Sequence, residues 1–193
     1  MGKLLDDAIQ FAVKAHAGVN RKGKNRPYIL HPLEAMLIAS ELTEDEEVLA
    51  AAVLHDTVED TPVTREDIER SFGKRVADLV AAESENKRPE LAASDTWEIR
   101  KSETIAHLKT ASREAKLICL GDKLSNIREM ARDYAVLGDA LWQRFSVKDK
   151  SKHAWYYRSV CDELDEEFKD ARPIREYRAL LEEVFGEKGD ICG

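Results

Sequence analysis

The residue types and spacing best suited to chemistry occur in the segment Leu54–Thr61, which reads L-H-D-T-V-E-D-T. His55 lies four residues before Glu59, and Asp56 lies four residues before Asp60, so a helix would place all four on roughly one side. Acidic groups gathered at the end of a buried helix repel one another, and burying them is costly unless positive charge compensates them. A divalent cation would supply that charge.

Two further candidate ligands occur elsewhere in the chain. His31 directly precedes Pro32, and Asp122 lies in the segment L-G-D-K-L-S-N-I-R. Together with His55 and Asp56 they form a mixed nitrogen and oxygen set, which suits Mn²⁺, Fe²⁺ or Zn²⁺ better than Ca²⁺. The sequence therefore predicts a metal centre assembled from three separate segments.

Glu59 and Asp60 are left over from this ligand set. We expect them to handle a water molecule and its proton beside the metal. The alternative interpretation makes His55 and Asp56 a pair on a helix surface, and Glu59 and Asp60 a solvated helix end. That alternative weakens because the segments around His31 and Asp122 are themselves apolar.

A basic loop precedes the first of these ligands. Four basic side chains fall within six positions, namely Arg21, Lys22, Lys24 and Arg26. Because the chain has a formal net charge of −8, the loop predicts a local patch that attracts an anion which the rest of the surface repels. A solvated basic loop is the alternative. Arg100 and Lys101 allow the same two interpretations, phosphate contact or a solvated helix face.

The composition excludes several classes of protein. With 193 residues, 43% hydrophobic and 35% charged, the chain is too apolar for a disordered protein, and its negative charge argues against broad nucleic-acid binding. The longest purely apolar run, Val48–Leu54, is far shorter than the roughly 20 residues of a membrane span. The odd number of cysteines and the lack of an apolar signal segment favour a reducing, cytoplasmic location.

Helices must position the candidate site. Apolar residues recur with helical spacing along most of the chain, and the two-residue alternation of a strand is nowhere convincing. We therefore expect an all-α fold, with one domain over residues 1–186 and a frayed tail over 187–193. The helices that carry the candidate ligands are expected from Pro32 to about Leu42, from a Thr43–Glu46 capping box to Asp60, and from Ala115 to Ala131.

Other suggestive residues have simpler interpretations. The aromatic run Trp155–Tyr157 predicts packing of the last long helix on the core, with nucleobase stacking as the alternative. His107 and His153 have no acidic or histidine partner at ligand spacing, so we expect them at the surface or at helix caps. Cys119 lies in the apolar stretch L-I-C-L and is expected to be a buried, inert thiol.

Taken together, these motifs resemble the HD-domain phosphohydrolases, and within them the hydrolase domain of the RelA/SpoT family of alarmone enzymes. The resemblance covers roughly residues 5–130. It rests on six ordered segments: A-x-x-F-A-x-x-A-H-A-G (8–18), R-K (21–22), P-Y-I-L-H-P (27–32), L-H-D-T-V-E-D-T (54–61), F-G (72–73) and G-D-K-L-S-N-I-R (121–128).

The resemblance implies a single HD-domain helical bundle with the activity of a guanosine-3′,5′-bis(diphosphate) 3′-pyrophosphohydrolase. Such an enzyme removes pyrophosphate from the 3′ position of ppGpp or pppGpp and leaves GDP or GTP. The implied cofactor is one Mn²⁺ per chain, bound by His31, His55, Asp56 and Asp122. The implied catalytic acidic pair is Glu59 and Asp60, and the residues that match nucleotide-binding positions are Arg21, Lys22, Asn126 and Arg128.

The chain departs from the family pattern on the side of the substrate. The segment Glu83–Arg88 replaces a threonine-lysine element, and Lys123 follows Asp122 where the long enzymes usually have arginine. The sequence ends before a synthetase domain could fit, so we expect a stand-alone small alarmone hydrolase that takes a small nucleotide and binds neither nucleic acid nor membrane. A homodimer is one expected assembly.

Two other functions stay open at this stage. The first keeps the enzyme and changes the substrate to another nucleotide, either a ppApp-type alarmone or NADPH, from which the 2′-phosphate would be removed. The second is a non-catalytic nucleotide-binding module that acts as a sensor. The intact acidic pair, Glu59 and Asp60, argues against the second, because a module without catalytic demand could lose such costly groups.

Overall fold

The computed structural model describes residues 2–88 and 90–186, so the tail predicted over 187–193 lies outside the described residues. Within the described part the elements are helical, which confirms the all-α prediction. In chain order they are α1 (Lys3–Ala15), α2 (Leu30–Ala39), α3 (Glu46–Leu54), α4 (Thr57–Asp60), α5 (Arg65–Phe72), α6 (Lys74–Glu83), α7 (Ala93–Leu108), α8 (Arg113–Leu137), the 3₁₀-helix η1 (Gly138–Arg144), α9 (Lys150–Phe168) and α10 (Arg172–Phe185).

The chain divides into two compact units. The first comprises Met1–Ser84 and Ala111–Ser125, and the second comprises Glu85–Thr110 and Asn126–Gly193. The long helix α8 contributes residues to both units. Whether residues 1–186 behave as a single domain stays a prediction. None of the described helices combines the length and the apolar character that crossing a bilayer requires.

Helix α3 forms the centre of the first unit. All seven residues from Val48 to Leu54 are buried, as expected for a helix that is apolar on every side. It packs against α1, α2 and α6. Since hydrophobic burial contributes roughly 25 cal/mol per Å² of apolar surface, this helix is a main source of stability for the unit. The residues that follow it, His55 and Asp56, are thereby placed at a fixed position beside the core.

The prediction of one continuous helix from a Thr43 cap to Asp60 is wrong in two respects, the capping residue and the continuity of the helix. The cap is Asp45, whose side chain accepts a hydrogen bond from the backbone N–H of Glu47, whereas Thr43 Oγ1 accepts from the N–H of Asp45. The helix ends at Leu54, and α4 begins only at Thr57. The hydroxyl of Thr57 donates to the carbonyl of Leu54 at 2.7 Å, so a side chain binds the last turn of α3.

The second unit contains an aromatic cluster around a buried histidine. The ring of His153 lies 5.4 Å from Trp97, 5.4 Å from Trp142 and 4.8 Å from Phe145, measured between ring centroids. The placement of His153 at the surface or at a cap was wrong, because its ring fills the interior where α9 packs on α7, while His107 is exposed as expected. Nearby Tyr156 is buried, which favours the packing role that we expected for the aromatic run.

Candidate functional site

The four predicted metal ligands come together in the first unit. His31 is the second residue of α2, His55 follows α3, Asp56 stands in the turn before α4, and Asp122 lies in α8. Nε2 of His31 is 3.1 Å from Oδ1 of Asp122 and 3.4 Å from Oδ2 of Asp56. Nε2 of His55 is 3.1 Å from Oδ2 of Asp56 and 3.7 Å from Oδ1 of Asp122. Two imidazole rings and two carboxylates therefore face one another across a few ångströms.

Close approach of two helices brings two of these ligands together. A Cβ atom added at Gly121 would lie 2.5 Å from the carbonyl oxygen of Ala35, which is closer than real Cβ contacts come. Helices α2 and α8 can therefore touch here only because residue 121 has no side chain. Gly121 immediately precedes Asp122, and Ala35 lies one turn beyond His31, so this contact sets the distance between the two ligands.

The ring of His55 presents a lone pair to the carboxylates. Its Nδ1 lies 2.8 Å from the backbone carbonyl of Ala52, and a carbonyl can only accept, so Nδ1 carries the hydrogen and donates. The other nitrogen, Nε2, is then the ring atom that faces Asp56 and Asp122. It is buried and forms no hydrogen bond of good geometry. An uncommitted buried nitrogen beside two carboxylates is what a bound cation requires.

The charges at this site show the same need for a cation. Burial disfavours the charged form of His55, but the carboxylates of Asp56 and Asp122 outweigh it and raise the pKa of His55 well above its usual value. Burial likewise opposes ionisation of Asp56, yet His55 and His31 hold the pKa of that carboxyl well below its ordinary range. The pKa of Asp122 is also far below its ordinary value, because Lys123 and the two histidines outweigh its burial. The protein thus favours positive charge between these groups.

The donor set fits a divalent metal. Ligand atoms of His31, His55 and Asp122, all buried, lie within 4.8 Å of one another, and Asp56 adds a fourth ligand atom, a second carboxylate oxygen, beside the two rings. Imidazole nitrogen together with carboxylate oxygen is a donor set for borderline divalent ions. The HD-domain pattern implies such a metal, and the groups present here can hold one.

The predicted acidic pair lies at the outer end of the same site. Glu59 is half-buried and Asp60 is exposed, both in the short helix α4. A residue that the sequence analysis did not single out connects Asp60 to the ligands, since the hydroxyl of Tyr28 lies 2.6 Å from Oδ2 of Asp56 and 2.8 Å from Oδ2 of Asp60. Burial and the two nearby carboxylates raise the pKa of Tyr28, so the phenol stays protonated and can donate. The sequence offered one signal for it, its place three residues before His31.

The predicted basic loop lies beside that tyrosine. The guanidinium carbon of Arg21 lies 5.3 Å from the centroid of the Tyr28 ring, and the backbone N–H of Arg21 donates to the carbonyl of Arg26. His16 packs on the same ring, with centroids 4.8 Å apart. Arg21 is therefore held near the acidic pair through Tyr28, whereas Lys22 is exposed.

The other two predicted substrate residues belong to the second unit. Asn126 is half-buried at the start of that unit's part of α8. Arg128 makes a bidentate ion pair with Glu176, with Nε and Nη2 at 2.7 Å and 2.8 Å from the two carboxylate oxygens. Their roles toward a nucleotide stay predictions, and Arg128 would have to be shared with Glu176.

Arg100 and Lys101 do not form the solvated helix face that was one of their two interpretations. Arg100 donates to Oε2 of Glu85 at 2.7 Å, and Lys101 donates to Oε1 of the same carboxylate at 2.6 Å. The side chains of Arg100 and Glu85 are each 12% exposed. Lys101 also lies 4.6 Å from the centroid of the Tyr156 ring. One carboxylate thus binds both cations within the second unit.

A half-buried carboxyl near the ligands, that of Glu83, was not predicted from the sequence. Burial raises the pKa of Glu83 to about 7, with Asp122 adding to the increase and Lys123 opposing it. Its side chain interacts with the thiol of Cys119, whose pKa is raised well above its usual value by burial and by Glu83. Cys119 is therefore the inert buried thiol that the sequence predicts.

Comparisons with known proteins identify the relatives of this chain. The HD domain family matches residues 8–148. The protein named guanosine-3′,5′-bis(diphosphate) 3′-pyrophosphohydrolase MESH1 from Danio rerio is 37% identical over 132 residues, which is 67% of this chain and 70% of that protein. The bifunctional (p)ppGpp synthase/hydrolase SpoT of Escherichia coli K12 is 37% identical over 130 residues, which is 66% of this chain and 18% of that longer protein.

The fold is shared with a solved structure across almost its whole length. That structure is described as a metazoan ortholog of SpoT that hydrolyses ppGpp and plays a role in starvation responses. It superposes with a TM-score of 0.76 and 27% sequence identity, covering 97% of this chain and 98% of that one. Both the sequence and the fold therefore point to the same group of relatives.

Proposed function

The chain belongs to the HD-domain family, and from that membership we propose that it is a metal-dependent hydrolase that removes pyrophosphate from the 3′ position of ppGpp or pppGpp. Water would add to a phosphorus of the 3′-diphosphate while the bond from that phosphorus to the ribose 3′ oxygen breaks, which leaves GDP or GTP and pyrophosphate. One observation carries the proposal, namely two imidazoles and two carboxylates that converge next to a second acidic pair.

Each group in the site would have a distinct task. His31, His55, Asp56 and Asp122 would hold the metal. When bound, the metal supplies positive charge that offsets the phosphoryl oxygens, and it makes water more acidic. Glu59 and Asp60 would accept the proton that the attacking water loses. Tyr28, whose single hydroxyl hydrogen can be donated to Asp56 or to Asp60, would fix the orientation of the acidic pair relative to the ligands.

Basic and amide side chains would hold the nucleotide. Arg21 is supported by its position over the ring of Tyr28, whose hydroxyl reaches Asp60. Lys22 would add charge for a phosphate, and its exposure leaves it accessible. The family resemblance also implies that Asn126 and Arg128 contact the nucleotide. Because the chain carries a net charge of −8, such local positive charge is needed to attract a polyanion.

Three finer expectations accompany the proposal. We infer that the metal is Mn²⁺, at one ion per chain, as the family resemblance implies, and the imidazole and carboxylate donors are compatible with that ion. Elemental analysis of the purified protein would measure its identity and stoichiometry. We also expect a cytoplasmic location, from the odd number of cysteines, and a homodimer, which sedimentation equilibrium would measure.

A turnover assay across a nucleotide panel tests the proposal. The metal-supplemented protein should consume ppGpp and pppGpp and release pyrophosphate, while GDP and GTP, which have no 3′-phosphate ester, should stay intact. A ppApp-type alarmone and NADPH complete the panel, since they represent the alternative substrates. Comparable cleavage of GTP and ppGpp would overturn the alarmone assignment. Tight nucleotide binding without turnover under any metal would support the sensor module instead.

A further inference from the structure

A chain of two hydrogen bonds leads away from the metal-facing side of His31. Nδ1 of His31 lies 2.9 Å from Oγ of Ser125, and that hydroxyl donates to Oε2 of Glu34 at 2.8 Å. Ser125 is buried and Glu34 is half-buried. Neither Glu34 nor Ser125 is among the site residues predicted from the sequence.

The chemistry of the three groups fixes the direction of both bonds. A carboxylate can only accept, so the single hydroxyl hydrogen of Ser125 is committed to Glu34. The oxygen of Ser125 then has only lone pairs for His31, and Nδ1 of the ring must be the donor. Nε2 of His31 therefore carries the lone pair, and it is the atom 3.1 Å from Asp122 and 3.4 Å from Asp56.

We propose that Glu34 and Ser125 are positioning residues of the metal centre, which hold His31 in the tautomer and ring orientation that present Nε2 to the ion. The inference rests on the proposed metal site and extends it to two residues that contact no ion themselves. An outer hydrogen bond of this kind fixes a ligating imidazole and makes it a better donor. Here a carboxylate acts on the imidazole through a hydroxyl.

The positions of the two residues along their helices support this role. Glu34 lies three residues after His31 in α2, and Ser125 lies three residues after Asp122 in α8, so each is one turn from a ligand on its own helix. Their hydrogen bond joins the two helices next to the close approach at Gly121. This hydrogen bond can therefore prevent rotation of the His31 ring and keep the distance between His31 and Asp122 fixed.

Metal affinity, measured without any nucleotide, tests the inference. The wild-type protein is stripped with chelator and titrated with MnCl₂ against a competing indicator, alongside Ser125→Ala, Glu34→Gln and the double variant. Loss of such an outer partner typically weakens metal binding about 10-fold to 100-fold. We expect a loss in this range for Ser125→Ala, and a smaller loss for Glu34→Gln because the amide can still accept weakly from the hydroxyl.

The double variant tests whether Glu34 acts on His31 through Ser125 or whether the two residues affect Mn²⁺ affinity independently. If Glu34 acts only through Ser125, then Glu34→Gln should cause no further loss of affinity once Ser125 is alanine. Glu41→Gln and Ser40→Ala, just beyond the end of α2, are matched controls that should keep the wild-type affinity. The melting temperature of the metal-free proteins is measured in parallel, and it should change little, since a role in packing alone would lower it.

Each result decides the inference independently of the reaction. Unchanged Mn²⁺ affinity in Ser125→Ala overturns it, as does an additive double variant or a wild-type protein that binds no metal. Weakened affinity with the non-additive double variant supports it even if ppGpp proves not to be the substrate, because no nucleotide enters the measurement. A fall in metal-free stability at constant affinity would assign the two residues to helix packing and would also overturn it.

Discussion

His55 and His153 are equally buried, yet their surroundings give them opposite character. His55 lies between two carboxylates in the first unit, and those charges raise its pKa well above its usual value. His153 lies among three aromatic rings in the second unit, and burial lowers its pKa, opposed by its bond to the carbonyl of Val147 and reinforced by Lys101. The ring of His55 is therefore positioned to bind a cation together with the carboxylates, whereas the ring of His153 is neutral and packs in the core.

The difference shows that burial of a polar residue does not by itself indicate a site. In the aromatic cluster, Nε2 of His153 donates to the carbonyl of Val147 at 2.8 Å. Nearby, the carboxylate of Glu85 accepts hydrogen bonds from Arg100 and Lys101. Those groups already have the donors and acceptors they need. Around His55, ring nitrogens and carboxylate oxygens face one another with too few donors, and this arrangement is completed by added positive charge, either a proton or a metal ion.

The largest effect is expected on metal content, when a substitution at the metal site is compared with one in the aromatic cluster. Asp122→Ala should lose the metal and the hydrolase activity together, whereas His153→Phe should purify with metal at the wild-type level. Because an ion bound only by the folded state stabilises it by mass action, EDTA should lower the melting temperature of the wild-type protein and of His153→Phe. The melting temperature of Asp122→Ala should not respond to EDTA.

The measurements are elemental analysis and thermal melts with and without Mn²⁺. Retention of metal by Asp122→Ala, or its loss from His153→Phe, would break the distinction between the regions. Wild-type protein without metal, and with a melting temperature indifferent to both EDTA and Mn²⁺, would remove the metal centre altogether.

The next effect sharpens the comparison within the acidic site itself. Glu59→Gln and Asp60→Asn should bind Mn²⁺ and nucleotide nearly normally, yet lose about 10²-fold to 10⁴-fold in kcat, the usual contribution of a positioned acid or base. Steady-state kinetics and metal titration of the same preparations check this. Near wild-type turnover in the double variant would contradict the assignment of these two residues as catalytic.

A smaller effect is expected for the hydroxyl between the acidic pair and the ligands. Tyr28→Phe removes the hydroxyl that lies within hydrogen-bond distance of Asp56 and Asp60 while keeping the ring on which Arg21 and His16 pack. Because hydrogen bonds to charged groups contribute about 1.5–3 kcal/mol, kcat should fall by about 10-fold to 100-fold, with a modest change in KM. A variant that changes only KM would assign Tyr28 to substrate binding instead.

The smallest expected effect concerns the pH dependence of stability in the aromatic cluster. Burial in the folded state lowers the pKa of His153 below its ordinary value of about 6.5, so as the pH falls below about 6.5 the unfolded chain binds a proton that the folded chain excludes. The contribution of His153 is therefore fully present above pH 6.5 and is lost as the pH falls toward the folded pKa.

Urea unfolding of the wild-type protein and of His153→Phe at several pH values isolates this contribution. Relative to the variant, the wild-type protein should lose stability between pH 7 and pH 5. A difference that stays constant with pH, or that grows as the pH falls, would show that the ring of His153 is not held neutral.

Much of the site could be predicted from the sequence because it depends on residue type and local spacing. His55, Asp56, Glu59 and Asp60 lie within six consecutive positions, and burying an acidic cluster next to an apolar helix is costly unless positive charge compensates it. The helical periodicity likewise predicted the all-α fold, because it depends on the spacing of apolar residues within a few turns of chain.

What only the tertiary structure decided are contacts between segments far apart in the chain. The hydroxyl of Tyr28 reaches Asp56 and Asp60, and Ser125 bridges His31 and Glu34 across more than ninety positions. His153 was misplaced for the same reason, since nothing near it in sequence announces the rings of Trp97 and Trp142. Sequence spacing determines which side chains share a helix face, but the packing of one helix on another determines which of them touch, and that packing depends on the shape of the whole core.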